Sequence, residues 1–137
     1  MSRRSASILV VDDDPLARHL LLAVVSRLNA KATIAETGRE AIELARHTPD
    51  FDLAIVDVYL PDMLGLDVVE HLRALPYFAT RPVVICTGAP DPETVTRAAA
   101  MGVREFVKKP VQVTEFLLRL RALLKGADGP RPMSAMG

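Results

Sequence analysis

At 137 residues, half of them apolar and 25% charged, the chain has the length of one domain and enough apolar content to bury a core. Seventeen Lys and Arg balance seventeen Asp and Glu, and only 4% of residues are aromatic, a composition that argues against a nucleic-acid surface. Its apolar runs break at charge before reaching membrane length, and Met1-Ser2-Arg3-Arg4-Ser5 lacks the apolar region of a signal peptide, so a soluble cytoplasmic protein without a membrane partner is expected.

Apolar runs of strand length alternate with segments of helical period, which predicts a parallel sheet covered by helices on both faces. The first strand, 7–12, contains Ile8-Leu9-Val10-Val11 and leads to Asp14-Pro15, an N-cap followed by proline at the first helical position. Leu16, Leu20, Leu21, Val24, Val25 and Leu28 give that helix one apolar stripe. A weak second strand, Ala32 to Ala35, precedes a capping box at Thr37-Gly38-Arg39-Glu40 and a helix to about His47, stopped by Pro49-Asp50.

The third strand is 52–57, and the turn-rich loop Tyr59-Leu60-Pro61-Asp62-Met63-Leu64-Gly65 leads to a helix from about Leu66 to Leu75. Pro82 opens a fourth strand, 83–87, where proline removes no ladder bond. Asp91-Pro92-Glu93 starts a helix to about Met101, with Gly102 as its stop. Val103 to Lys108 forms the fifth strand, and 112–125 the last helix, with Phe116, Leu117, Leu120, Leu123 and Leu124 facing inward. The domain is expected to span 1–125, and 126–137, rich in breakers, to be a disordered tail or the start of a linker.

In a parallel sheet all strands end at one edge, and ligands bind there, where the strand order reverses. Four of the five expected strands end in polar chemistry: Asp12 and Asp13 after the first, Asp57 at the third, Thr87 at the fourth and Lys109 after the fifth. Clustered carboxylates in a low-dielectric crevice require a cation or a proton. Oxygen ligands with no His or Cys at ligand spacing suit Mg²⁺ rather than zinc, with Mn²⁺ as a substitute. A hydroxyl and an ammonium opposite the metal suit a tetrahedral dianion, and a carboxylate is a sufficient nucleophile for phosphoryl transfer when metal and Lys offset the charge. Asp12 and Asp13, being adjacent, suit metal holding. Asp57 is single, follows an apolar strand and is assigned as the phosphoryl acceptor. Asp14 is read as a helix cap. Cys86, inside Val83-Val84-Ile85, is read as a buried thiol, and His19, His47 and His71 as solvated helix residues.

The chain resembles the receiver domains of bacterial two-component response regulators over about residues 7–125. The matching stretches are Ile8 to Asp14 with Arg18, Asp57 with Leu60-Pro61-Asp62-Met63-Leu64-Gly65, Val84-Ile85-Cys86-Thr87-Gly88, and Phe106-Val107-Lys108-Lys109-Pro110. The resemblance implies a flavodoxin-like doubly wound fold with strand order 2-1-3-4-5. It implies phosphorylation of Asp57 by a sensor histidine kinase or histidine phosphotransfer protein, with Mg²⁺ held by Asp13, Asp57 and the backbone carbonyl of Tyr59, Asp12 assisting. By the same resemblance Thr87 and Lys109 would grip the phosphoryl oxygens, Phe106 would swing inward as Thr87 moves, and Lys109-Pro110 would be a cis bond.

The output surface implied for a downstream protein, or for a homodimer, spans about 91–124 and holds Arg97, Arg104, Lys108, Arg119 and Arg121. Residues 1–68 carry seven Lys/Arg against eleven Asp/Glu, and residues 69–137 ten against six. An acidic site with a basic partner face explains that split, and so does chance placement of solvated charges.

Three positions depart from the family pattern. Gly88 stands where Ala is more frequent, Tyr59 is larger than many residues at its position, and Phe106 lacks a tyrosine hydroxyl. The chain is expected to act as a single-domain signalling phosphoacceptor, with a receiver fragment of a longer regulator, its output domain after residue 125, as the alternative. A Mg²⁺-dependent phosphatase of the haloacid dehalogenase type also uses a strand-end Asp, but needs a second Asp two residues later, where this chain has Tyr59. Neither a P-loop nor Gly-x-Gly-x-x-Gly follows the first strand, which opposes a nucleotide enzyme.

Overall fold

A computed structural model describes residues 5–128. Five parallel strands, β1 (Ser7–Val11), β2 (Lys31–Ala35), β3 (Leu53–Val56), β4 (Val83–Thr87) and β5 (Glu105–Lys108), lie in the order 2-1-3-4-5. Helices α1 (Pro15–Arg27), α2 (Gly38–His47), α3 (Gly65–Arg73), α4 (Pro92–Ala100) and α5 (Val113–Asp128) make the crossovers and close the fold. The parallel sheet covered on both faces is the one expected from the alternation of apolar runs and helical periods, and the doubly wound, flavodoxin-like strand order is the one the family resemblance implies.

Alternate side chains of each central strand enter opposite cores, as the pleat requires. Ile8, Val10, Leu53, Ile55, Val84 and Cys86 pack under α1 and α5, against Leu21, Val24, Val25, Phe116, Leu117 and Leu120. Leu9, Val11, Ala54, Val56, Val83 and Ile85 face α2, α3 and α4, where Phe51 and Phe78 fill the space beyond the sheet. Burial on both faces explains why these strands read as continuous apolar runs. Cys86 is fully buried, and burial, above all else, pushes its thiol up to about 12. Among the described residues no helix is long and apolar enough to cross a membrane.

Several boundaries differ from the sequence expectation. Leu16 is 63% exposed, and Ala17 takes the inward position at the start of α1. The fifth strand begins at Glu105, because Val103 donates its N–H to Ala98 O and so completes the end of α4, with Gly102 at φ +79 as the stop. α3 starts at Gly65 and ends at Arg73, after which Pro76–Phe78 form a 3-10 turn that the residue pattern did not announce. α5 continues to Asp128, three residues past its expected end at 125. The expected tail lies, from residue 129 onward, outside the described residues.

Candidate functional site

The sheet order reverses between β1 and β3, and the crevice lies beyond their carboxyl ends. Asp12 and Asp57 stay tied to the ladder one residue past their strands: Asp12 N–H donates to Ala35 O at 3.0 Å and Asp57 N–H to Val11 O at 2.9 Å. The sheet therefore fixes both backbones, and both residues are buried, at 1% and 8% exposure. Asp13 is exposed. Asp12, Asp13 and Asp57 each bring one carboxylate oxygen to within 4.8 Å of the others. Asp14 points its oxygen back to Leu16 N–H at 3.1 Å as the N-cap of α1, while its own N–H donates to Asp12 Oδ1 at 2.9 Å.

Lys109 reaches this cluster from the far side. Its Nζ lies 3.0 Å from Asp12 Oδ2, donates to Asp57 Oδ2 at 3.1 Å, and is 4.0 Å from Asp14 Oδ2. Its backbone N–H donates to Thr87 O at 2.9 Å, and the Lys109–Pro110 peptide bond is cis. Thr87 is buried and pairs in register with Lys108, so the ends of β4 and β5 and the Lys109 side chain form one side of the crevice.

Electrostatically one ammonium serves several carboxylates. Burial pulls the Lys109 ammonium down, yet the hydrogen bonds and charges of Asp12 and Asp57 outweigh it and hold its proton more tightly than usual. Burial, foremost, raises the Asp12 carboxyl above the ordinary range, the Asp57 charge adds to it, and the Asp14 N–H and Lys109 oppose it only in part. Asp12 Oδ2 is buried and has the Lys109 ammonium, 3.0 Å away, as its ion-pair partner. A surplus of negative charge over one ammonium, a buried carboxylate and an all-oxygen ligand set fit a hard divalent cation.

The loop after Asp57 is closed tightly. Gly65 N–H donates to Val58 O at 2.6 Å, Leu60 N–H to Met63 O at 3.2 Å, and Tyr59 bridges Leu64. A Cβ at Gly65 would sit 1.9 Å from Asp57 O, so only glycine fits. Tyr59 is 59% exposed. At Gly88 a Cβ would meet nothing within 4 Å, so its lack of a side chain is not imposed by packing. Phe106 is partly buried against the α2–α3–α4 core, and its carbonyl accepts from Arg119 Nη1 at 2.9 Å.

Two polar residues gained importance only from the structure. Asp62, expected as a turn former, accepts the N–H groups of Gly38 and Arg39 at the start of α2. Arg73 donates to the carbonyls of Met101, Phe78 and Arg81, at 2.8, 3.0 and 2.7 Å. A carboxylate in a Pro-Asp turn and a cation in a last helical turn are both common, and neither carries a local signal of a distant partner. The basic residues of 91–124 are only partly free: Arg97 pairs with Asp67 and Glu70, and Arg119 with Glu105.

Residues 8–121 match the response regulator receiver domain family. The transcriptional regulatory protein KdpE of Mycobacterium tuberculosis is 34% identical over 118 residues, 86% of this chain and 50% of KdpE. The two-component response regulator ORR8 of Oryza sativa subsp. japonica is 29% identical over 111 residues, 81% of this chain and 92% of ORR8. Among solved structures, the chemotaxis protein CheY4 of Vibrio cholerae superposes with a TM-score of 0.81 at 27% identity, covering 88% of this chain and 99% of CheY4. The chain thus spans half the length of KdpE and almost all of ORR8 and CheY4. Since the family match runs from the first strand into the last helix, the sheet and its acidic rim fall inside it, and the chain belongs to the response regulator receiver domains, signalling modules of two-component systems.

Proposed function

We propose that this receiver domain accepts a phosphoryl group on Asp57 from a histidine kinase or histidine phosphotransfer protein, and signals through the surface around residues 91–124. The observation that carries the reading is Lys109 Nζ within about 3 Å of both Asp12 and Asp57, where Asp12, Asp13 and Asp57 bring their carboxylates together. An Asp57 carboxylate oxygen attacks the phosphorus, the P–N bond to the donor imidazole breaks, and the bonding pair leaves with that nitrogen, which takes up a proton. Lys109 and Thr87 donate to the phosphoryl oxygens, offsetting charge in a crevice where water screens little. Asp12, Asp13, Asp57 and the Tyr59 carbonyl would hold Mg²⁺ or Mn²⁺, whose charge lets a dianion approach three carboxylates.

Loss of the signal is hydrolysis of the aspartyl phosphate. The exposed Tyr59 ring stands two residues from Asp57 and would shield the acyl phosphate from water. An unchanged dephosphorylation rate in Tyr59→Asn would remove that role. Signalling by protein contact in the cytoplasm suits a chain that spans nearly all of ORR8 and CheY4. Its 50% coverage of KdpE favours, as a second reading, the receiver part of a longer regulator with an output domain after residue 125.

The test is incubation with phosphoramidate or acetyl phosphate and Mg²⁺, followed by intact-mass measurement. The wild type should gain one phosphate and Asp57→Asn none. A wild type that stays unmodified, or equal gain in the variant, refutes the assignment.

A further inference from the structure

The loop from Asp57 to Gly65 is held at both ends. Its base is fixed by the Gly65 N–H to Val58 O bond and the Tyr59–Leu64 bridge. Its tip is held by a different element. Asp62 Oδ1 accepts Gly38 N–H at 2.8 Å and Oδ2 accepts Arg39 N–H at 3.0 Å, spanning 24 and 23 residues of sequence. The first turn of a helix has N–H groups without intrahelical partners, and its own cap satisfies only some of them. Here Thr37 takes the Glu40 N–H at 3.0 Å, and the two N–H groups before it go to Asp62.

A second contact supports the same junction. A Cβ at Gly38 would lie 2.4 Å from Met63 Cγ, so the absent side chain leaves the space that the neighbour of Asp62 fills. The start of α2 is thus shaped to receive the loop tip, by two backbone donors and by a missing side chain. Although Asp62 is exposed, the Gly38 N–H, then the Arg39 N–H, hold its carboxyl below the ordinary range. An exposed aspartate in a turn ordinarily bonds its own neighbourhood; this one joins two elements.

We propose that Asp62 is a positioning residue for the Asp57 site: by clamping the loop tip to the first turn of α2, it fixes the backbone of Tyr59, whose carbonyl belongs to the metal-holding set. The inference rests on the reading of Asp57 and Mg²⁺ given above. Asp12 and Asp57 are tied to the sheet by their own N–H groups and keep their places without the clamp. The Tyr59 carbonyl belongs to the loop, not to a strand: its bridge to Leu64 holds it within the loop, and the tip contact completes the anchoring of that loop against α2. Loss of the clamp therefore weakens metal binding more than it slows phosphoryl transfer once metal is saturating.

Wild type, Asp62→Asn and Asp62→Ala are titrated with MgCl₂ alone, followed by backbone amide NMR shifts, and then with MgCl₂ at fixed phosphoramidate, followed by intact mass. Asp62→Ala should raise the Mg²⁺ dissociation constant about tenfold, the low end of what loss of a supporting hydrogen bond costs a metal site. Asp62→Asn keeps one acceptor oxygen and should fall between the two. Maximal phosphorylation rates at saturating Mg²⁺ should agree within about twofold, the split expected when only metal binding is affected. Unchanged Mg²⁺ affinity in both variants overturns the proposal, and so does an equal loss of rate at every Mg²⁺ concentration. Should Asp62→Ala fail to fold, Asp62→Asn decides, and wild-type Mg²⁺ affinity there overturns it. A wild type that gains no phosphate overturns the Asp57 reading and this inference together, a result distinct from a phosphorylated wild type with insensitive variants.

Discussion

Helices α4 and α5 flank the same edge strand, β5, and are held in opposite ways. α5 buries Phe116, Leu117 and Leu120 in the core it shares with α1. α4 buries Ala98 alone and is otherwise tied by polar contacts. Asp91 caps its start through the Thr94 N–H at 2.7 Å, Arg97 meets Asp67 at 2.7 Å and Glu70 at 3.5 Å, and Arg73 Nε donates to Met101 O at 2.8 Å. Apolar burial is lost only when a helix leaves its seat, whereas an exposed ion pair exchanges for water at little cost. The element following the Thr87-Gly88 loop is thus the one with less apolar burial to lose on moving. That difference suits a surface proposed to carry the output.

Three measurements would break or sharpen the contrast. Phe116→Ala, which empties a fully buried ring position in α5, should lower unfolding free energy by about 3–5 kcal/mol, read from urea midpoints. A loss near zero would mean that α5 is no better anchored than α4. Arg73→Ala should lower it by about 2–3 kcal/mol, because charged hydrogen bonds to three carbonyls are lost. Its amide exchange should quicken first around Met101, at the end of α4, and uniform exchange across the chain would contradict the tether. Arg97→Ala should change global stability by about 0.2–1 kcal/mol, as for other exposed pairs. It should nonetheless speed exchange in α4 over α5, and high salt should reproduce that change in the wild type. Equal acceleration in both helices would dissolve the distinction between them.

Elements were legible where residue pattern and environment agree. Ile8 to Val11, Leu53 to Val56 and Val83 to Thr87 read as strands because both faces are covered, and Thr37 and Asp91 announced helix starts that the structure places at those positions. Leu16 misled because apolar character says nothing of where α1 overhangs the sheet, and it is Ala17 that turns inward. Val103 misled because its N–H is engaged by Ala98 O in ending α4, a backbone event that a β-branched residue conceals.

The residues of the rim could be gathered from sequence because parallel strands end at one edge, so any polar residue closing an apolar run must lie there. Chain order and local chemistry thus determined the layers, the crossovers and which carboxylates, hydroxyl and ammonium share the crevice. Tertiary structure alone decided the pairings: Lys109 with Asp57 across 52 residues, Arg73 with Met101 across 28, Asp62 with Gly38 across 24. A hydrogen bond depends on distances of a few tenths of an ångström and on donor direction, and those are set by how whole elements pack rather than by residues adjacent in the chain.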